Sequence, residues 1–169
     1  MQAISNFQKV GDILENISKG VFLTVKSRHG ELNTMTIGWL MSGIIWRAPT
    51  LMVVVRSSRH TFKLIESADD FTITIPFSDM SEQLLFCGTH SGRDTDKLKE
   101  CGLVALPAQK VASPVIAAKT ARYYECKIVQ ATAMDKNRLA PKYDQEIYQD
   151  KMYHTYYFGE IVACYENYI

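Results

Sequence analysis

No two cysteines in this 169-residue sequence are closely spaced. Cys87, Cys101, Cys126 and Cys164 form no C-x-x-C unit, which argues against a zinc site and against a dense disulfide framework. The four histidines also lack metal-ligand spacing, so no metal is expected. An excess of one charge is missing too. The formal net charge is +1 and the basic residues are scattered, which leaves no field drawing the chain to nucleic acid or to an anionic membrane. The longest apolar runs, such as "LMVVV", are far too short to span a bilayer. No charged n-region followed by an apolar run opens the sequence, so no signal peptide is expected and a cytoplasmic location is the default. Neither GxGxxG nor GxxxxGK occurs, which removes support for a Rossmann or P-loop reading. Nothing has the pattern of a catalytic triad or of paired catalytic carboxylates. No side chain is assigned a catalytic role.

What is present is an ordinary globular composition, 47% hydrophobic and 22% charged, on a chain long enough for one domain with a real core. With no repeats, low-complexity tracts or linkers, residues 1–169 are expected to form a single domain. Phe7, Val10, Ile13, Leu14 and Ile17 recur at helical spacing, predicting a helix over about residues 6–18 that Gly20 ends. "VFLTVKS" reads as a strand, "RHGE" as a turn and "NTMTIGWLMSG" as a second strand, together a hairpin. "TLMVVV" fits a strand buried on both faces. A short helix is expected over about Arg59 to Glu66, capped by Ser57 or Ser58. "FTITIP" reads as a strand closed by Pro76. Asp79-x-x-Glu82 has the form of a capping box ahead of a helix to about Cys87. "TDKLKEC" predicts another short helix with Gly102 as its C-cap, and "LVAL" and "PVIAA" short edge segments. "RYYECKIVQATAM" alternates like a half-buried antiparallel strand, and "HTYYFGEIVACYEN" is the last long strand. About seven strands with short helices do not follow a βαβ rhythm. The fold expected is mainly β, an antiparallel Greek-key barrel with short peripheral helices.

Three stretches have the chemistry to bind something. "VRSSRHTF" leaves a buried strand and opens a helix, offering the guanidiniums of Arg56 and Arg59, the hydroxyls of Ser57, Ser58 and Thr61, and helix-end amides. A phosphate takes such donors, but serines also cap helices and arginines are also solvated. "NTMTIGW" opens a strand with polar Asn33, Thr34 and Thr36 and ends near Trp39; it could meet the edge of a flat heterocycle or simply be a good strand. "SGRDTDK" combines Gly92, which allows close backbone approach, with donors on Ser91, Arg93 and Lys97. Asp94 and Asp96 suit a helix start, so a capped helix with surface charges explains part of this stretch. His154, beside tyrosines in "MYHTYYFGEI", reads as structural unless a ligand lies next to it.

Taken in order, "NTMTIGW", "VRSSRHTFKLI", "FTITIP", "SGRDTDKL--CGL", "YYECKIV" and "HTYYFGEI" resemble the flavin reductase-like family of FMN-binding split-barrel proteins, flavoredoxin among them. The likeness runs over roughly residues 20–167. It implies a split β-barrel, usually a homodimer, with FMN near the subunit interface. By that resemblance Asn33, Thr34, Met35, Thr36 and Trp39 lie along the isoalloxazine, and the Arg56 to Thr61 stretch receives the phosphate. Ser91, Gly92, Arg93, Asp94 and Lys97 close over the cofactor, and His154 approaches the flavin from the last strand. The activity implied is that of an oxidoreductase taking hydride from NAD(P)H at the flavin and passing electrons to a flavin, a ferric complex or another acceptor. The alternative is an electron-transfer flavoprotein that docks to a redox protein and has no small-molecule substrate.

Overall fold

The computed structural model describes residues 2–3 and 10–168. Of the first helix, α1 (Val10–Ile17), Ile13 is buried in the core and Gly20 ends the turn with φ +88°. Phe7 and the rest of 4–9 lie outside the described residues. The hairpin follows as β2 (Val21–Lys26) and β3 (Leu32–Ile37), with Val21 opposite Ile37. Its turn places Gly30 at φ +89°, a conformation that favours glycine.

The long second strand expected over residues 33–43 is two strands. β3 ends at Ile37, and β4 (Leu40–Ile45) begins after Gly38 and Trp39. The reason lies in the partners. β2 begins at Val21 and has no residues to pair beyond Ile37, so the chain crosses to β5 (Ala48–Arg56), with which β4 forms its own hairpin. The turn of that hairpin is Trp46–Arg47, both at positive φ (53° and 61°), as a two-residue turn between right-twisted strands requires.

The remaining elements are α2 (His60–Ile65), β6 (Asp70–Pro76), α3 (Ser81–Thr89), α4 (Lys97–Glu100), β7 (Ala105–Leu106), β8 (Val115–Ile116), β9 (Thr120–Ala133), a 3₁₀ turn (Lys136–Arg138), α5 (Pro141–Ile147) and β10 (His154–Tyr168). A two-residue β1 (Gln2–Ala3) pairs with β10. The large sheet is antiparallel throughout, in the order β3-β2-β6-β9-β10-β5-β4. Its two ends, β3 and β4, are consecutive in the chain with only two residues between them, so the sheet must curl back on itself. No ladder joins those ends among the described residues. This is the seam of a split barrel, and the core lies inside it: Leu23, Val53, Phe71, Ile73, Tyr124 and Cys126 are all buried.

Three local expectations are corrected. Ser57 and Ser58 do not cap α2; the N-cap is Arg59, which makes no side-chain cap bond. Asp79 and Glu82 form no capping box: Met80 is the N-cap of α3, while the Asp79 carboxylate accepts from the amide and hydroxyl of Ser81. The first half of β9 is buried on both faces instead of one, because residues 103–118 cover its outer side. There the Glu125 carboxylate accepts from the amides of Gln109 and Lys110 at 2.7 and 2.6 Å, and Thr74 Oγ1 accepts from the Ile116 amide. Glu125 and Thr74 are thereby paired on this face, as burial demands. Among the described residues no helix is long and apolar enough to cross a membrane.

Candidate functional site

The seam opens into a cleft of about 280 Å³. Its floor is the end of β3 with Gly38 and Trp39, and its sides come from Val54 and Arg56 of β5, Arg59, His154 of β10 and Ile147 of α5. Because β3 and β4 share no ladder, backbone here is free to face a ligand. Trp39 and His154 form an aromatic wall, their rings 5.0 Å apart and tilted by 40°. Burial, then the cations of Arg56 and Arg59, lower the His154 pKa to about 4, so the imidazole is neutral near pH 7.

The cleft runs on into a smaller pocket of about 100 Å³, with Met35 and Arg59 lining both. This second pocket lies between the start of α2 (Ser58 to Thr61) and the turn Ser91–Arg93. The two loops are keyed together. Arg93 Nη1 donates to the Ser58 carbonyl at 3.0 Å, and Asn33 Nδ2 donates to Thr61 Oγ1 at 2.7 Å. Gly92 sits so close to Asn33 and His60 that any side chain would collide with them. Asp96 caps α4 by accepting from the amides of Leu98 and Lys99.

Lys97 is buried, and its ammonium donates to the carbonyls of Thr34 (3.2 Å) and Cys87 (2.8 Å), tying α4 to β3 and α3. Burial lowers its pKa. Arg59, by contrast, is exposed and has no hydrogen bond or ion pair of its side chain to the protein among the described residues. Burial and the neighbouring Cys101 push the Cys87 thiol up to about 12, which removes it as a thiolate nucleophile. No group of three or more His, Cys, Asp or Glu side chains among the described residues could hold a metal ion.

The residues singled out in the sequence fall mostly on this one groove. Met35, Thr36, Trp39, Arg56, Arg59 and His154 line the cleft, and Asn33, Ser58, Thr61, Ser91, Gly92, Arg93 and Lys97 line the pocket. Thr34 turns its hydroxyl inward to Thr24, and Thr36 Oγ1 donates to the Leu84 carbonyl. Ser57 points away, toward Met152 Sδ, and Asp94 lies on the far side of the turn. Arg56 is already engaged: its guanidinium donates to Asp150 (3.1 Å) and to the Ile147 carbonyl (3.0 Å) and lies over the Tyr148 ring.

Those partners belong to residues 135–153, a wall of the cleft that the sequence reading passed over. Pro141 at the start of α5 was the available signal, since proline favours the first turn of a helix. Within this wall Tyr148 is buried, and its hydroxyl lies 2.8 Å from His154 Nδ1.

Comparison with known proteins agrees with the fold. An uncharacterized protein of Pyrococcus abyssi (strain GE5 / Orsay) is 28% identical over 143 residues, covering 84% of this chain and 70% of its own. Among solved structures, flavoredoxin of Desulfovibrio vulgaris (Miyazaki F) superposes with a TM-score of 0.68 at 20% identity, over 88% of this chain and 69% of its own. Flavoredoxin from Methanosarcina acetivorans gives 0.65 at 23% identity, over 86% and 67%. Nitrilotriacetate monooxygenase component B from Bacillus cereus gives 0.66 at 15% identity, over 98% and 81%. The family model for the flavin reductase like domain matches residues 14–168, and the chain belongs to that family.

Proposed function

We propose that the chain is an FMN-binding oxidoreductase of flavin reductase or flavoredoxin type. The observation that carries the reading is Arg59. Its guanidinium has no hydrogen bond or ion pair among the described residues and stands at the junction between a cleft walled by aromatic rings and a pocket rich in N–H and O–H donors. A flat ring joined through a flexible chain to a phosphate fits that sequence of surroundings. The ring would lie against Trp39 and His154. The phosphate would meet Arg59, Ser58 and the turn Ser91–Arg93, where charge-assisted hydrogen bonds give both affinity and orientation. Arg56, already bonded to the cleft wall, would act on the ring end as a fixed positive charge. When bound, FMN supplies the hydride and electron chemistry, and the protein supplies orientation and electrostatics. The neutral His154 adds no charge beside the ring, so Arg56 would be the fixed positive charge there.

The electron path we propose runs from NAD(P)H through FMN to a flavin, a ferric complex or another acceptor. The site is proposed to work in a homodimer. Met41, Ile44 and Trp46 are 66, 64 and 59% exposed on the β4–β5 hairpin, and Phe158 lies beside Trp46. Such a patch suits a protein interface. Sedimentation should find a dimer at micromolar concentration, and a monomer would overturn that part.

The flavin test compares FMN with riboflavin, which lacks the phosphate. Arg59→Ala should weaken FMN about ten- to hundredfold and riboflavin little, since a hydrogen bond to a charged group contributes roughly 1.5–3 kcal/mol. Equal losses for both ligands would refute the assignment. Anaerobic bleaching of the bound flavin by NADH or NADPH then supports the enzyme. Reduction by a protein donor alone would make the chain an electron carrier.

A further inference from the structure

We propose that Tyr148 is a positioning residue that sets His154 as an Nε2–H donor facing the cleft, so that the ring bound beside Trp39 presents an acceptor atom to it. The geometry is local and complete. The Tyr148 hydroxyl and His154 Nδ1 are 2.8 Å apart, and neither atom has another hydrogen-bond partner among the described residues. Two arrangements are possible. If His154 carried its proton on Nδ1 and donated it to Tyr148, the hydroxyl hydrogen would be left without an acceptor on a side chain that is 2% exposed. If Tyr148 donates, both atoms are satisfied, and the single proton of a neutral imidazole sits on Nε2. Burying an unpaired donor is the costlier choice, so the second arrangement holds.

The surroundings keep the pair in place. Tyr148 stacks on Tyr153 with centroids 4.9 Å apart and meets His154 edge-on at 5.5 Å. The Arg56 guanidinium lies 5.4 Å over the Tyr148 ring and is itself bonded to the Ile147 carbonyl and Asp150. The charged groups facing His154 are Arg56, Arg59 and Asp150, two cations against one anion, and they oppose a second proton on the ring. Burial keeps the Tyr148 hydroxyl protonated. His154 therefore reaches the cleft as a neutral donor before any ligand arrives. The group it recognises is a carbonyl oxygen or an unprotonated nitrogen on the edge of a flat heterocycle. That the heterocycle is a flavin rests on the function proposed above; the tautomer does not.

The experiment is ¹⁵N-histidine labelling of the purified chain, read by long-range ¹H–¹⁵N correlation near pH 7, with His154→Gln used to assign the signal. We expect one tautomer, protonated at Nε2. In Tyr148→Phe, which keeps the ring and loses the hydroxyl, we expect a mixture of tautomers and a higher His154 titration midpoint. An Nδ1–H tautomer in the unaltered chain overturns the proposal. So does a Tyr148→Phe spectrum with the same tautomer and midpoint. Should that variant fail to fold, the spectrum of the unaltered chain decides alone. FMN should move the Nε2–H resonance, and FMN that binds without moving it overturns the donor role. A chain that binds no flavin, yet shows the Nε2–H tautomer, overturns the flavin reading and not this one.

Discussion

Replacing Gly92 with alanine should damage the fold and the anion end of the groove together. A Cβ built at Gly92 lies 2.4 Å from Asn33 Oδ1 and 2.8 Å from His60 Cδ2. Ordinary contact begins near 3.4 Å, so the shortfall is 3.4 − 2.4 = 1.0 Å. There are two ways to relieve it. Asn33 can swing away, which breaks its bond to Thr61 and leaves buried polar atoms unpaired, at a cost of about 1–3 kcal/mol. Or the turn can lift by about as much as the overlap, which pulls Arg93 from the Ser58 carbonyl. Alanine also restricts the unfolded chain, which returns about 0.4–1 kcal/mol. The net loss expected is about 1–2 kcal/mol in urea unfolding, read as a lower midpoint with an unchanged slope. FMN should bind about ten- to hundredfold more weakly if the lifted turn costs one charge-assisted bond, with riboflavin much less affected. A Gly92→Ala protein with stability within about 0.5 kcal/mol of the original and the same FMN affinity would refute this reading of the turn.

Gly159→Ala should cost about 1–3 kcal/mol in the same assay, since its Cβ would lie 2.6 Å from Phe71 Cζ and 2.7 Å from Cys126 Cβ, opposite the extra residue Val129 of β9. A change below about 0.5 kcal/mol would show that the packing around Gly159 relaxes freely. His154 should contribute an acid-sensitive part of the stability. Its folded pKa of about 4 lies below the ordinary 6.5, so the folded state binds fewer protons; the contribution is complete above 6.5 and is lost as pH falls through about 4. That interval corresponds to ~3 kcal/mol undiluted, and partial solvent access brings it to about 1–2 kcal/mol. His154→Gln should flatten the pH dependence by that amount, and parallel curves would sink the idea. Of the four thiols, Cys101 alone is not buried, so a thiol reagent should label one cysteine per folded chain near neutral pH. Fast labelling of two or more would contradict the packing.

The strands were legible where period and partner agreed. "FTITIP" and "VFLTVK" carry enough β-branched and aromatic residues to be strands in any context, and the structure has them as β6 and β2. "NTMTIGWLMSG" misled because strand propensity continues through Trp39 although the neighbouring strand does not. Where β3 stops is decided by the length of β2, a fact no window of residues 33–43 contains. The same holds for β9. Its alternation suggests one wet face, and only the return of residues 103–118 across that face makes it dry. The 135–153 wall was missed for the opposite reason: α5 has no buried residues among those described, so no apolar period announces it.

The site was legible as a set of residue types but not as a division of labour. Arg56 and Arg59 differ by three positions and look equivalent in sequence. In the structure Arg56 is held by the 135–153 wall, and the Arg59 side chain has no partner among the described residues. Lys97 could be read as solvated or as a cofactor contact, yet its ammonium is buried against two main-chain carbonyls. Beside the open edge of β3, side chains tie the strand and its neighbouring loops to the helical segments packed there. Lys97 to Thr34 and Cys87, Thr36 to Leu84, Asn33 to Thr61 and Arg93 to Ser58 are the bonds that do it. Each ties β3, or a loop beside it, to the neighbouring helical segments, and most of these residues line the groove. The lining of the groove is therefore also what secures β3, which is why the binding signature and the fold signature coincide in this sequence.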